Sequence, residues 1–260
     1  MQREACLRLV AAALVALVLA ACTNTGSGNV KQESKEAEKT EAARIHTELG
    51  QKYMQQGNLK VALEDLEKAL TYDPDYVDAH TVIGLLYERI GDAKQAEDHY
   101  RRAAQLRPKG GNELNNYGTF LCKVGRYDES KQYFERAMAD PFYNTPEVAM
   151  TNEGTCLLKA GKAAEAEPVL RKALDRSPNN AEALFQLAST LYEKGEYFKA
   201  RAFMQRFESV GQQRPESLML GRNIELRLGN GSAASDYTRR LLQSFPESQQ
   251  ARALNAQNQS

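Results

Sequence analysis

Between residues 43 and 248 the apolar positions return at helical spacing, as in Leu59, Leu63, Leu66 and Leu70, and predict a succession of amphipathic α-helices. The helical runs are short because glycine interrupts them at a regular interval. Gly57, Gly91, Gly125, Gly161, Gly195 and Gly229 stand 34, 34, 36, 34 and 34 residues apart, so one helix-turn-helix unit recurs six times. With each turn glycine set at position 15, the units begin at Ala43, Val77, Gly111, Glu147, Ala181 and Pro215. Position 8 is then Gly50, Gly84, Gly118, Gly154 and Ala188, small residues that let two helices approach closely. Position 20 is Ala62, Ala96, Ser130, Ala166, Ala200 and Ala234, their small partners on the second helix. Position 27 is Ala69, Ala103, Ala137 and Ala173, followed by the larger Phe207 and Leu241. Position 32 is Pro74, Pro108, Pro178 and Pro246, where a missing N–H and a fixed φ stop the second helix.

A 34-residue helix-turn-helix period is that of the tetratricopeptide repeat, and the marks above are those of that unit. The expected fold is therefore all-α, a right-handed tetratricopeptide superhelix (α-solenoid) of six helix-turn-helix repeats. The repeats span 43–76, 77–110, 111–146 with a two-residue insertion, 147–180, 181–214 and 215–248. The sixth is degenerate, with Arg222 and Thr238 replacing the usual small and bulky residues, as suits the more polar end of a solenoid.

The two ends of the chain have a different character. Arg3 and Arg8 precede an apolar run that ends in Leu19-Ala20-Ala21-Cys22. A basic start, a short apolar stretch and small residues before the cut predict a secretory signal peptide over residues 1–21, too short for a membrane span. Leu-Ala-Ala-Cys is similar to the bacterial lipobox, which makes Cys22 the lipidated N-terminus after cleavage and leaves Cys6 in the removed part. Thr23, in place of aspartate, implies sorting to the outer membrane. Residues 22–42 contain Gly26, Ser27 and Gly28 and then Lys and Glu with almost no large apolar side chain, so they are expected to form a flexible tether whose charged half, 31–41, is able to extend the first helix. The Gln- and Ala-rich residues 249–260 are expected to be a polar disordered tail.

Charge narrows the functional classes. The chain has 34 basic and 34 acidic residues, intermixed, for a formal net charge of zero, so it offers no basic stripe to nucleic acid and no polybasic cluster to anionic lipid. Membrane attachment rests on the lipid anchor at Cys22 alone. There is no C-x-x-C pair, no phosphate-binding glycine loop and no Ser/His/Asp set, so no metal, cofactor, small-molecule substrate or catalytic residue is expected and the chain reads as a non-enzyme. His46 and His80 share position 4, and Tyr53 and Tyr87 share position 11; packing between helices is their expected role. Glu64, Asp65, Glu97 and Asp98 are expected on the solvated side of second helices. Cys122 and Cys156 lie on the first helices of adjacent repeats, where a disulfide and two buried free thiols are both compatible with the pattern. A bridge there contributes ~3–4 kcal/mol in the chain-entropy model.

Tetratricopeptide solenoids bind segments of other proteins along a face lined by first-helix positions 2, 5, 6, 9, 12 and 13. The candidates are Asn115, Asn116, Thr119 and Lys123 in the third repeat, and Thr151, Asn152, Thr155, Leu158 and Lys159 in the fourth. Met54, Leu85 and Arg89 give the first two repeats a mixed face. Asn116 and Asn152 both hold position 6, where an amide can donate to and accept from a peptide backbone at once. An amphipathic helix or a short apolar strand is the expected ligand.

The insertion after the third repeat is more specific. The run from Asn112 to Cys156, with Asp140-Pro141-Phe142-Tyr143-Asn144-Thr145-Pro146 between its two cysteines, closely resembles the type IV pilus biogenesis/stability lipoproteins called PilF or PilW, the secretin pilotins. The lipobox, charged tether, repeat count and length extend the resemblance over nearly the whole chain. It implies an outer-membrane lipoprotein, facing the periplasm, that binds subunits of the type IV pilus secretin and promotes their localisation and multimerisation for pilus assembly and twitching motility. It also implies a disulfide between Cys122 and Cys156. The alternative is a general envelope lipoprotein scaffolding peptidoglycan enzymes or outer-membrane barrel assembly.

Overall fold

The computed structural model describes residues 26–211 and 213–257; the signal peptide, Cys22 and the final three residues lie outside the described residues. The described residues form thirteen α-helices and no strand, the all-α class expected from the sequence. They are α1 Gly26–Gln55, α2 Leu59–Tyr72, α3 Val77–Ile90, α4 Ala93–Leu106, α5 Gly111–Lys123, α6 Tyr127–Met138, α7 Pro146–Lys159, α8 Ala163–Arg176, α9 Ala181–Glu193, α10 Tyr197–Ser209, α11 Pro215–Arg227, α12 Gly231–Ser244 and α13 Gln249–Gln257. The chain divides into two compact units, Met1–Leu106 with α1–α4 and Arg107–Ser260 with α5–α13. Within each, successive helices pair across turns in which the six periodic glycines take φ of 75 to 86°, a region open to glycine at little cost.

The core of the first unit places Leu66 against Val82, Ile83 and Leu86. In the second unit Leu170, Leu184, Leu187, Leu191, Met204 and Phe207 form a continuous buried row. Close approach of paired helices depends on the small residue at position 8. A Cβ on Gly154 would stand 2.5 Å from Leu170 Cγ. Gly154→Ala is therefore expected to overpack the α7–α8 contact and to lower the urea midpoint by the equivalent of about 1–3 kcal/mol. Gly161 has open space where its Cβ would be, so there the strain of positive φ acts alone.

Three expectations are corrected. The stretch expected to be a flexible tether is helical from Gly26 onward and continuous with the first repeat, so the charged half, 31–41, extends the first helix as it was expected to be able to, and only the residues before it depart from the expectation. Its Lys and Glu residues are good helix formers, and pairs such as Lys39–Glu36 at 3.5 Å and Arg44–Glu41 at 2.6 Å join successive turns. The expected tail contains α13, which buries Ala251 and Leu254 against Leu218, Tyr237 and Leu241. Two apolar residues three apart suffice to make one helical face, and the surrounding glutamines disguised it. In the sixth repeat the small-bulky pair is not lost but displaced by one residue on both helices. Gly221 faces Tyr237, whose Cε1 would lie 2.4 Å from a Cβ there, while Arg222 Nε donates to Thr238 Oγ1 at 3.2 Å.

Candidate functional site

The second unit sets the first helices α5, α7 and α9 side by side, and their shared face is polar. Asn152 Nδ2 on α7 donates to Asn115 Oδ1 (3.0 Å) and Thr119 Oγ1 (3.3 Å) on α5. Asn180 Nδ2 donates to Thr151 Oγ1 at 2.9 Å, while its Oδ1 accepts the Ala183 N–H and caps α9. Thr119, Thr151 and Thr155 each return their hydroxyl hydrogen to the carbonyl four residues earlier. The result is a hydrogen-bonded ladder across three helices that fixes their mutual register.

Within this ladder the candidate residues separate into two groups. Asn115 and Thr151 are buried and spent on internal bonds. Asn116, Thr119, Asn152, Thr155 and Leu158 are half-buried, although the Asn152 Nδ2 is also engaged within the ladder, and Lys123 and Lys159 are exposed in the last turns of α5 and α7. Residues 116, 119 and 123 match 152, 155 and 159 at a constant offset of 36, so amide, hydroxyl and ammonium groups form successive rows along paired helices. Such a surface can hydrogen-bond an extended backbone and place cations two helical turns away, about 10 Å along the axis.

The first unit changes the reading of its candidates. Met54 is buried at 6 % exposure, packed with Leu66, Val82, Ile83 and Leu86, and is not available to a partner. It sits in the last turn of α1, where the following repeat covers it. Arg89 Nη1 donates to the Met54 carbonyl at 2.7 Å, tying the two repeats together. Leu85 is half exposed.

Cys122 on α5 and Cys156 on α7 have Cα atoms 5.7 Å apart with their sulfurs bonded in the structure. Both are buried, and Ser130 Oγ lies 3.4 Å from the Cys156 sulfur. The bridge joins the two helices whose facing sides carry the Asn115–Asn152 bond.

Several groups escaped sequence reasoning. Asn180 lies just ahead of its helix, outside the positions considered, although asparagine before an apolar run is a capping signal. His80 and His99 meet with their Nδ1 atoms 3.0 Å apart, and burial pushes both rings below the ordinary histidine range, His99 to about 4. Asp65, expected to be solvated, accepts from His46 at 2.9 Å. Glu153 at position 7 is 4 % exposed, where Leu49, Ile83, Tyr117 and Leu187 stand in other repeats. Burial pushes its carboxyl up to about 7, with Glu135 adding to the shift and Lys131 opposing it. Among the described residues no group of three or more His, Cys, Asp or Glu is placed to hold a metal ion.

Known proteins share these features. Family profiles described as Tetratricopeptide repeat match residues 47–111, 114–140 and 157–224. The chain is 30% identical over 244 residues to the type IV pilus assembly protein PilF of Pseudomonas aeruginosa, covering 94% of this chain and 96% of that one. A crystal structure of PilW, a widely conserved type IV pilus biogenesis factor, superposes with a TM-score of 0.76 at 32% identity, covering 82% of this chain and 97% of the other. The solved structure of Pseudomonas aeruginosa PilF gives 0.75 at 30% identity, covering 85% and 99%.

Proposed function

This chain belongs to the type IV pilus biogenesis family of the tetratricopeptide-repeat proteins PilF and PilW, and from that premise we propose that it is a pilotin, an outer-membrane lipoprotein that binds secretin subunits and promotes their multimerisation. The observation that carries this reading is the match to PilF along nearly the full length of both chains. Two features of this chain support it. The sequence at residues 19–22, Leu-Ala-Ala-Cys, is similar to a lipobox, which supports a lipid anchor on Cys22. The first-helix face offers half-buried amides and Leu158 to an extended segment of a partner.

Anchor and face divide the work. A lipid-tethered binding surface raises the local concentration of bound secretin at the bilayer and shields insertion-prone surfaces in transit. The test is the amount of heat- and detergent-resistant secretin multimer in outer-membrane fractions of wild type, a strain lacking this protein, and a Cys22→Ala strain. The expected result is loss of multimer with persistence of monomer in the deletion strain, and the same loss in Cys22→Ala. Unchanged multimer in both would move the assignment to a general envelope adaptor.

A further inference from the structure

The insertion between the third and fourth repeats displays the most exposed large apolar side chain among the described residues, Phe142, at 86 % exposure. Its backbone is held in place. Asp140 accepts the Gly111 N–H on one carboxylate oxygen (3.1 Å) and the Phe142 N–H on the other (2.9 Å). The next residue, Tyr143, is buried against Gly111, where a Cβ would come within 2.4 Å of its ring. Arg136 Nη2 donates to the Pro108 carbonyl at 3.1 Å and its guanidinium lies 5.0 Å from the Tyr133 ring centroid. The Phe142 backbone therefore projects from a braced loop, which lowers the entropy lost when the ring is covered.

Beside Phe142 lies a concavity of about 480 Å³ lined by Pro108, Lys109, Arg136, Ala139, Asp140 and Pro141. Pro108, Ala139 and Pro141, with Phe142, are its apolar lining residues. Asp140, its single acidic residue, has one oxygen on each of two backbone N–H groups, whereas Lys109 and Arg136 are exposed cations. An apolar pocket with an exposed aromatic on a braced backbone at one side and two cations on its rim matches an apolar side chain flanked by carboxylates.

We propose that this pocket is a second docking site, distinct from the first-helix face, for an acidic segment of another protein that inserts one leucine or aromatic side chain beside Phe142. It does not depend on the pilotin reading. Proline at both ends of the lining, Pro108 and Pro141, leaves fewer backbone N–H groups to pair with, so side-chain insertion and charge carry recognition.

The probes are labelled synthetic nonapeptides with one central leucine or phenylalanine, flanked by glutamates, by serines or by lysines, titrated against the detergent-solubilised full chain by fluorescence anisotropy. The glutamate-flanked peptides are expected to bind about tenfold more tightly than the serine series, and the lysine series not measurably. Phe142→Ala and Lys109→Glu, both substitutions of exposed side chains, are each expected to weaken the glutamate series about tenfold with circular dichroism unchanged. Equal binding of all three series, or affinity indifferent to both substitutions, overturns the proposal. So does a blank peptide titration accompanied by Phe142-dependent adsorption to anionic vesicles or Phe142-dependent dimerisation in sedimentation, which would assign the patch to lipid or to a second copy.

Discussion

Glu153→Gln is expected to leave stability at pH 4.5 nearly unchanged and to raise it by about 2 kcal/mol at pH 8, read as the difference in urea unfolding free energy from wild type. The carboxyl occupies a core position of the fourth repeat, and burial holds it up to about 7. It ionises near 4.5 in an unfolded chain. Between those values the folded protein binds more protons than the unfolded one, so stability falls as pH rises through this window and is flat above it. A full shift of this size corresponds to roughly 3 kcal/mol at 1.36 kcal/mol per unit; partial relaxation around the charge reduces that to about 2 kcal/mol.

The charges around Glu153 do not cancel the effect. Desolvation is the largest influence; Glu135 and Glu165 also oppose ionisation, and Lys131 and Lys172 favour it. The adjoining cavity, lined also by Asp128 and Lys162, is about 10 Å³, enough for at most one water. Glutamine keeps the shape and removes the titration, so exposed carboxylates held low by lysine, such as Asp128 and Glu196, contribute equally to both proteins and drop out of the difference. If Glu153→Gln retained the wild-type pH slope between 4.5 and 7, the group would have to be ionised and solvated in the folded state.

Much of this molecule was legible because its strongest constraints are periodic. Turn glycines at positive φ and position-8 residues under a neighbouring side chain recur with the repeat, so each copy reinforces the others. What escaped was set by single contacts. Met54 reads as a groove residue from its position number, but the following repeat supplies Val82 and Leu86 to cover it. In the sixth repeat a glycine one place early, Gly221, keeps the helix contact while the turn glycine stays in register. Composition misread the tail and only half read the N-terminal segment, whose charged part was legible as an extension of the first helix, because α1 draws on local ion pairs and α13 on two apolar residues, and neither makes its segment stand out as apolar against its polar neighbours. The polar face was half legible. Position numbers identified Asn116 and Asn152, but which amides remain available depends on Asn115 and Asn180, whose partners lie 37 and 29 residues away in sequence.

Oxidised protein is expected to exceed reduced protein in stability by about 3–4 kcal/mol, with Cys122→Ala/Cys156→Ala behaving as the reduced form under both conditions. The magnitude follows from the sequence separation of 34 between the cysteines, because closing a loop of that length removes entropy from the unfolded chain. The repeat architecture directs where the effect appears. Each repeat touches mainly its neighbours, so a bond between the third and fourth couples two units that can otherwise open separately. Reduction should therefore lower protection from amide exchange in α5 and α7 more than in α11 and α12. It should also loosen the Asn152–Asn115 and Asn152–Thr119 bonds, which lie on the helices that the bridge joins. Thiol counting on native protein purified under oxidising conditions decides the premise. Two reactive thiols after denaturation would mean that the pair stays reduced and that Cys122 and Cys156 act only as small buried residues. No reactive thiol from either cysteine, together with selective loss of protection in α5 and α7 on reduction, would tie the bridge to the register of the polar first-helix face.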